Sequence, residues 1–516
     1  MKFSLLKTAV ACAAAVIVSP QLALAQSAWN VPNGAFNNSA NWNPNGVPGV
    51  ADDAVIDNGG VATFNTPALD VNSLTVASTG GSSGTLAVTG GNLFGNGIRI
   101  GEEGTGTATV NNGIMRAGGP SLFVGGKDGL GTGTLTISGN ADTFVSSADD
   151  IGVGRQGTGT LNMSGGELQG VYTFIGKFGT GTWNHSGGLF RQTGGDIEIG
   201  DGGKPTETDF PGPRTGTINL TGGVMQVWDH FAIGNRIGTG TVNISGGVLA
   251  LTGGPETDSN LYVGRGADWA GEAIGTGGPV GLRVTGDDSI IIADGNFLMN
   301  VDNVASSSTL VAEITGATHT TIKVTGDANI ANGKLVVDLT GYTPVSGNSW
   351  TILTAGADIT ADKATVGTLV TTAGFDPLVQ AGPGTAGTLT GTFANTDFSL
   401  APLTAGLSWN VSYASNSVTL SITGAATFTA DFDHNGQVNG ADLTKWKADF
   451  GVNANSDANG DGKSDGTDFL IWQRQFGSGV PASAAIGAVP EPATIALLGL
   501  ATMAMAACGR SRRNRA

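Results

Sequence analysis

Between Gly84 and Gly264, apolar and polar residues alternate one by one in short runs broken by glycines. In one phrase, Leu161/Met163, Ile218/Leu220 and Val242/Ile244 fall on one side, while Asn162, Asn184, Asn219 and Asn243 fall on the other. In a second phrase, Ile98/Ile100, Ile197/Ile199 and Phe231/Ile233 share a side, and the runs end on Gly101, Gly125, Gly154, Gly176, Gly200, Gly234 and Gly264. A period of two sends successive side chains to opposite faces, so each phrase predicts a half-buried β-strand. A third short strand is expected after a Gly-Gly turn, as at residues 224–227, and no helical period intervenes.

The phrases recur. "GTGTLTISG" at Gly131 returns as "GTGTLNMSGG" at Gly157, "GTGTWNHSGG" at Gly179, "TGTINLTGG" at Thr215 and "GTGTVNISGG" at Gly238, spaced by 22 to about 35 residues. Stacked coils bring one residue type to the same place in every turn, which a row of separate hairpins would not do. The expected fold is mainly β: a glycine-rich parallel β-helix or β-solenoid over residues 26–280, with a β continuation or cap over 281–427. A cap is needed because a bare solenoid end exposes unpaired strand edges. From about Asp52 to Gly264 the phrases resemble the autotransporter-associated β-strand repeats of secreted bacterial surface proteins.

Composition sharpens this picture. Glycine accounts for 86 of 516 residues, more than twice the usual ~7%, so it punctuates the fold. Apolar residues make up 40%, enough for a sizeable core. Lys2 and Lys7, an apolar run and Ala23-Leu24-Ala25 predict a signal peptide over 1–25. Far downstream, the apolar run from Ala493 to Gly509 predicts a C-terminal hydrophobic helix long enough to reach across a bilayer. Arg510, Arg512, Arg513 and Arg515 follow it and would stay in the cytoplasm. Cys12 and Cys508 both fall inside these targeting segments, leaving no disulfide to staple the exported body. The net charge of −17 repels phosphate backbones and anionic lipid. Nucleic acid is therefore excluded as a partner, membrane contact is confined to the C-terminal segment, and divalent cations and neutral glycans remain.

Chemistry concentrates near residue 440. Asp431, Asp433, Asn435, Gln437, Asn439 and Asp442 occupy positions 1, 3, 5, 7, 9 and 12 of a twelve-residue loop, with Gly436 at position 6. Asp457, Asn459, Asp461, Lys463, Asp465 and Asp468 repeat the pattern around Gly462. This is the spacing of a Ca²⁺ loop, in which position 7 ligates through its carbonyl and so admits Gln437 and Lys463. After each loop an equivalent apolar face follows: Leu443, Trp446 and Phe450, then Phe469, Trp472 and Phe476. These faces predict short helices packed on each other. The pair resembles a dockerin type I module over 428–477, an EF-hand-like arrangement with Asp at position 12. Gly440-Ala441 and Gly466-Thr467 stand where such modules carry their partner-recognition residues, which weighs against a cohesin partner. Ser464 replaces the apolar residue usual at position 8, so weak pairing between the loops is expected.

After a linker at 478–488, "VPEPATIALLGLATMAMAACGRSRRNR" from Val489 resembles a PEP-CTERM sorting signal over 489–516. The resemblance implies a transient membrane anchor, processing by an exosortase-type enzyme, and residence at the cell envelope, at the surface or in an exopolysaccharide matrix. Catalytic signals are sparse. His185 falls in the column of Met163, Leu220 and Ile244 and is expected in the core. Stacking would also align Asp150, Tyr172, Asp196, His230 and Asn260, with Arg155, Lys177, Asp201, Asn235 and Arg265 just beyond the strand. The expected function is a non-enzymatic, secreted surface or matrix protein with a structural or adhesive role. The alternative is a polysaccharide-binding or lyase-like β-helix protein that uses this polar column.

Overall fold

The computed structural model describes residues 25–201, 214–235, 238–252, 259–265, 280–301, 308–369, 387–424 and 428–479. The chain divides into two compact units. One comprises residues up to 344 with 348–402 and 409–421, and the other comprises 345–347, 403–408 and 422–516.

The first unit is a parallel β-solenoid of about 11 turns. Each turn pairs in register with the next, so the repeat becomes a set of columns. Leu161 lies beside Leu135 and Trp183, and the same column continues to Ile218 and Val242. Along the short strands, Ile151, Thr173, Ile197, Phe231 and Leu261 form another column. Both columns are fully buried. At roughly 1.5–3 kcal/mol for each large side chain removed from water, these columns supply the main driving force for coiling.

Glycine closes each coil. Gly101, Gly125, Gly154, Gly176, Gly200, Gly234 and Gly264 all adopt positive φ, between 66° and 82°. Ala77 (φ 59°) and Asn300 (φ 49°) carry the same left-handed backbone at the two flanking turns. A Cβ at Gly176 would lie 1.9 Å from the Thr215 carbonyl oxygen, and one at Gly181 would lie 2.4 Å from the Gly176 nitrogen. From Gly101 to Gly200, two glycine columns therefore face one another across a corner too thin for a side chain.

Elsewhere the Gly-Gly pair acts differently from the expected turn. Thr158–Gly170, Thr180–Gln192, Thr215–Val227 and Thr239–Leu251 each run through it as one 13-residue strand. Register shifts at Ser164 and Thr221 mark β-bulges, with left-handed backbone at Gly166, Gly188, Gly223 and Gly247. A bulge bends a strand while leaving its pairing intact on both sides, so two predicted strands merge into one.

The solenoid ends are both covered. At the start, Trp29, Phe36, Trp42 and Phe64 form a buried aromatic cluster, and the Trp29 and Trp42 rings meet edge to face at 5.0 Å. Over 281–427 the region expected as continuation or cap does both. Strands Val280–Thr285, Ser308–Ile314, Lys334–Leu339 and Asn395–Leu400 prolong the parallel ladder. Ser349–Thr354 then pairs antiparallel with Ser417–Gly424.

A helix, α1 (Thr360–Leu369), stands where no helical period was read. It buries only Val366, which packs with Ile359 against Val224, Val248 and Ile292. Lys363 and Asp362 tie it down through ion pairs with Asp294 (2.7 Å) and Lys323 (2.9 Å). One buried residue leaves no periodic signal in the sequence, and tertiary contact defines the helix.

His185 is fully buried in the predicted core column, between Met163 and Leu220. Burial pushes its pKa down to about 4, although the Gly188 carbonyl 3.4 Å from Nε2 favours the proton. The unfolded chain therefore binds this proton first as pH falls. Stability is complete above about pH 6.5 and drops by roughly 3 kcal/mol on acidification through the folded-state value. His185→Leu, which introduces the residue of the next turn, is expected to remove this slope in chemical denaturation at pH 4 to 7.

Candidate metal centre and polar solenoid corner

In the second unit the two acidic loops fold in the same way, residue for residue, 26 positions apart. The position-1 carboxylates accept backbone N–H bonds from positions 5 and 6. Asp431 takes them from Asn435 (3.0 Å) and Gly436 (2.7 Å), and Asp457 takes them from Asp461 (3.1 Å) and Gly462 (2.6 Å). The position-12 carboxylates accept from positions 3 and 9. Asp442 takes the bonds of Asp433 (3.2 Å) and Asn439 (2.8 Å), and Asp468 those of Asn459 (3.2 Å) and Asp465 (2.7 Å). Asn435 and Asp461 at position 5 each accept the N–H of position 7, Gln437 and Lys463 respectively. Gly436 (φ 82°) and Gly462 (φ 84°) supply the left-handed turn that this wrapping needs.

The end of each loop is also the start of a helix: α2 (Gly440–Asp449) after the first and α3 (Gly466–Gln475) after the second. Asn439 and Asp465 are N-caps, and Asp442 and Asp468 complete capping boxes. The two halves interlock through their tryptophans. Trp446 Nε1 donates to the Asp465 carbonyl and Trp472 Nε1 to the Asn439 carbonyl, both at 3.0 Å. Each helix therefore steadies the other half's loop at position 9.

The module's core holds Ala430, Phe432, Val438, Ala458 and Trp472, with Leu443, Trp446 and Phe469 packed around it. Phe450 and Phe476, expected on the same buried faces, are about half exposed because each sits at its helix's C-cap. They lie edge to face on Trp446 and Trp472, both at 4.9 Å.

Position 8 bonds across the halves rather than loop to loop. The Gly477 N–H donates to the Val438 carbonyl and the Gly451 N–H to the Ser464 carbonyl, both at 2.9 Å. The Ser464 hydroxyl is buried and accepts the Ser456 N–H, while the Ser456 hydroxyl donates to Asp449. That bond, with others from Asn453 and Lys445, holds the Asp449 carboxyl below its ordinary range. The network was not foreseen from sequence; its only trace is the polar residue at an apolar position.

In the first loop Asp431, Asp433 and Asp442 each bring one oxygen within 4.8 Å of the others. None of the three forms an ion pair among the described residues. Three carboxylates so close repel one another unless a cation sits among them. An all-oxygen set of carboxylates and amides suits a hard divalent ion, and Ca²⁺ is the one that takes many protein oxygens. The second loop arranges Asp457, Asp461 and Asp468 by the same bonds, with Asn459 at position 3.

On the solenoid, the predicted polar column is present. The N–H of Ile151 donates to the Tyr172 carbonyl, Thr173 to Asp196, Ile197 to His230 and Phe231 to Asn260, so these residues stack at one corner. Their side chains are largely engaged. Asp196 pairs with Arg265 at 2.9 Å and Lys177 with Asp201 at 3.2 Å. His230 Nδ1 lies 3.1 Å from Asp229 and 3.2 Å from the Asn260 nitrogen. Burial raises the Asp150 carboxyl pKa, helped by neighbouring Asp149. Aromatic rings lie along this corner: Tyr172 stacks on Phe174 at 6.5 Å, Lys177 sits 3.9 Å above Phe174, and Arg265 sits 4.9 Å above Tyr262. Tyr172 is 44% exposed.

Comparison with known proteins finds one family model, the PEP-CTERM protein-sorting motif, at residues 488–513. No curated protein and no solved structure matches. The motif indicates export with a C-terminal sorting signal to the cell envelope or surface, and it implies processing by an exosortase-type enzyme. It lies outside the described residues, as do the predicted hydrophobic helix and residues 1–24 of the predicted signal peptide. Among the described residues, no helix is long and apolar enough to cross a membrane.

Proposed function

We propose that this chain is a non-enzymatic structural protein of the cell surface or extracellular matrix, with a calcium-dependent module at residues 428–477. The supporting observation is the duplicated loop, in which twelve residues recur with one hydrogen-bond scheme and reciprocal tryptophan bonds. Asp431, Asp433, Asn435, Asn439 and Asp442 would hold one Ca²⁺ with the Gln437 carbonyl. Asp457, Asn459, Asp461, Asp465 and Asp468 would hold a second with the Lys463 carbonyl. Bound calcium would neutralise the clustered carboxylates and fix both helices, a role suited to a cysteine-free module outside the cell. Calorimetric titration of the full exported chain is expected to show two sites; a chain that takes up no Ca²⁺ overturns the proposal.

A second reading, glycan binding, is favoured by the exposed Tyr172–Phe174 stack beside Lys177 and Arg265. Aromatic faces flanked by paired charges suit the apolar and hydroxyl sides of a sugar ring. In affinity electrophoresis, retardation by one polysaccharide that Tyr172→Ala abolishes would support it. Release of unsaturated fragments would instead show the lyase-like activity that the ion-paired acids and bases of this corner argue against.

A further inference from the structure

The solenoid has a second face with a different chemistry. Over seven successive strands, from Ser83–Val88 to Thr239–Leu251, the outward positions stack in strict register. The first column, from Ser83 to Thr239, carries a hydroxyl at every turn, and the second, from Thr85 to Thr241, is threonine throughout. A third holds Asn162, Asn184, Asn219 and Asn243, whose amides bond Nδ2 to Oδ1 at 2.8, 2.9 and 2.8 Å. The hydroxyls repeat about every 4.8 Å across strands and about every 6.6 Å along them, a two-dimensional lattice. Threonine is stiff at χ1, so each methyl and hydroxyl recurs in a fixed orientation. The asparagine ladder holds the strands in step at the same time.

The chain carries a net charge of −17, yet these three columns hold no charged residue over the seven turns. They also hold no aromatic residue. The neutral lattice stops at the turn of Val280–Thr285, where Arg283 enters the third column and pairs with Glu313 (2.7 Å) and Asp338 (2.8 Å). A repeating surface gains most from a partner that is itself a lattice. Charged groups hold hydration that an uncharged lattice would have to strip away, so a neutral face matches a neutral crystal. Each hydroxyl can both donate and accept, as a lattice water does, while the methyls between them favour caged water.

We propose that this threonine face binds ice, with its hydroxyl columns replacing rows of water molecules at the crystal surface. The test is ice-affinity partition of the full exported chain, with the gap between melting and freezing measured by nanolitre osmometry. The wild-type chain is expected to enter a growing ice front and to open that gap, with or without calcium. Thr160→Lys with Thr182→Lys is expected to abolish both effects while the β-sheet circular dichroism is kept; Tyr172→Ala is expected to retain them. If the lysine pair disturbs the sheet, Thr160→Val with Thr182→Val keeps side-chain shape, removes the hydroxyls and should still reduce the gap. Exclusion of the wild-type chain from ice, adsorption to crystalline cellulose in its place, or a lysine variant as active as wild type would overturn the proposal.

Discussion

Gly176→Ala is expected to destabilise the solenoid by roughly 4 kcal/mol or more, enough to place it among the severest single substitutions. Two penalties fall on one methyl group. The backbone at Gly176 is left-handed (φ 70°), which an L-residue adopts at a cost of about 1–2 kcal/mol. The added Cβ also lies 1.9 Å from the Thr215 carbonyl oxygen and 2.8 Å from the Gly216 nitrogen, and backbone cannot move aside as a side chain would. Ala77 provides the internal control, because it holds the same left-handed conformation at the head of the column (φ 59°). Ala77→Gly relieves strain while adding chain entropy, so its net change should stay within about 1 kcal/mol. Denaturant midpoints of the two variants measure both. Equal, small effects would mean that the glycine column does not close the coil.

The second large effect concerns Asp442. Its carboxylate is fully buried, accepts two loop N–H groups, completes the capping box of α2 and faces Asp431 and Asp433. Asp442→Ala is expected to abolish calcium binding at the first loop and to strand those N–H groups, each orphaned donor costing about 1–3 kcal/mol. Chelation of the wild-type chain should loosen the same module reversibly. At a hundredfold excess over Kd, each Ca²⁺ adds about 2.7 kcal/mol of stability. Fluorescence of Trp446 and Trp472 and amide exchange over residues 428–479 report the change, while exchange in the solenoid core should stay unchanged. An Asp442→Ala chain with wild-type calcium uptake would remove the loop from the account.

How much of this was legible varied with the range of the interaction concerned. The turn of each acidic loop could be read directly, since twelve consecutive residues place the left-handed glycine and the carboxylates that its N–H groups reach. The reciprocal Trp446 and Trp472 bonds could not, because each joins residues 19 or 33 positions apart whose carbonyls carry no sequence mark. The aromatic faces misled at their ends, since Phe450 and Phe476 have the right spacing but sit where the helices stop.

The columns of the solenoid followed from the sequence alone, because a period of two repeated at every turn admits stacking of like on like. Burial of His185 followed for the same reason. Folding decided what the alternation leaves open. The Gly-Gly pairs became bulges because both flanking segments find partners in the same neighbouring strand. Helix α1 formed because Val366 found an apolar patch on three distant turns, and the polar corner drew ion-pair partners from other turns, such as Arg265 to Asp196. Periodicity specifies which side of a strand is dry; only the closed coil determines which distant groups then meet.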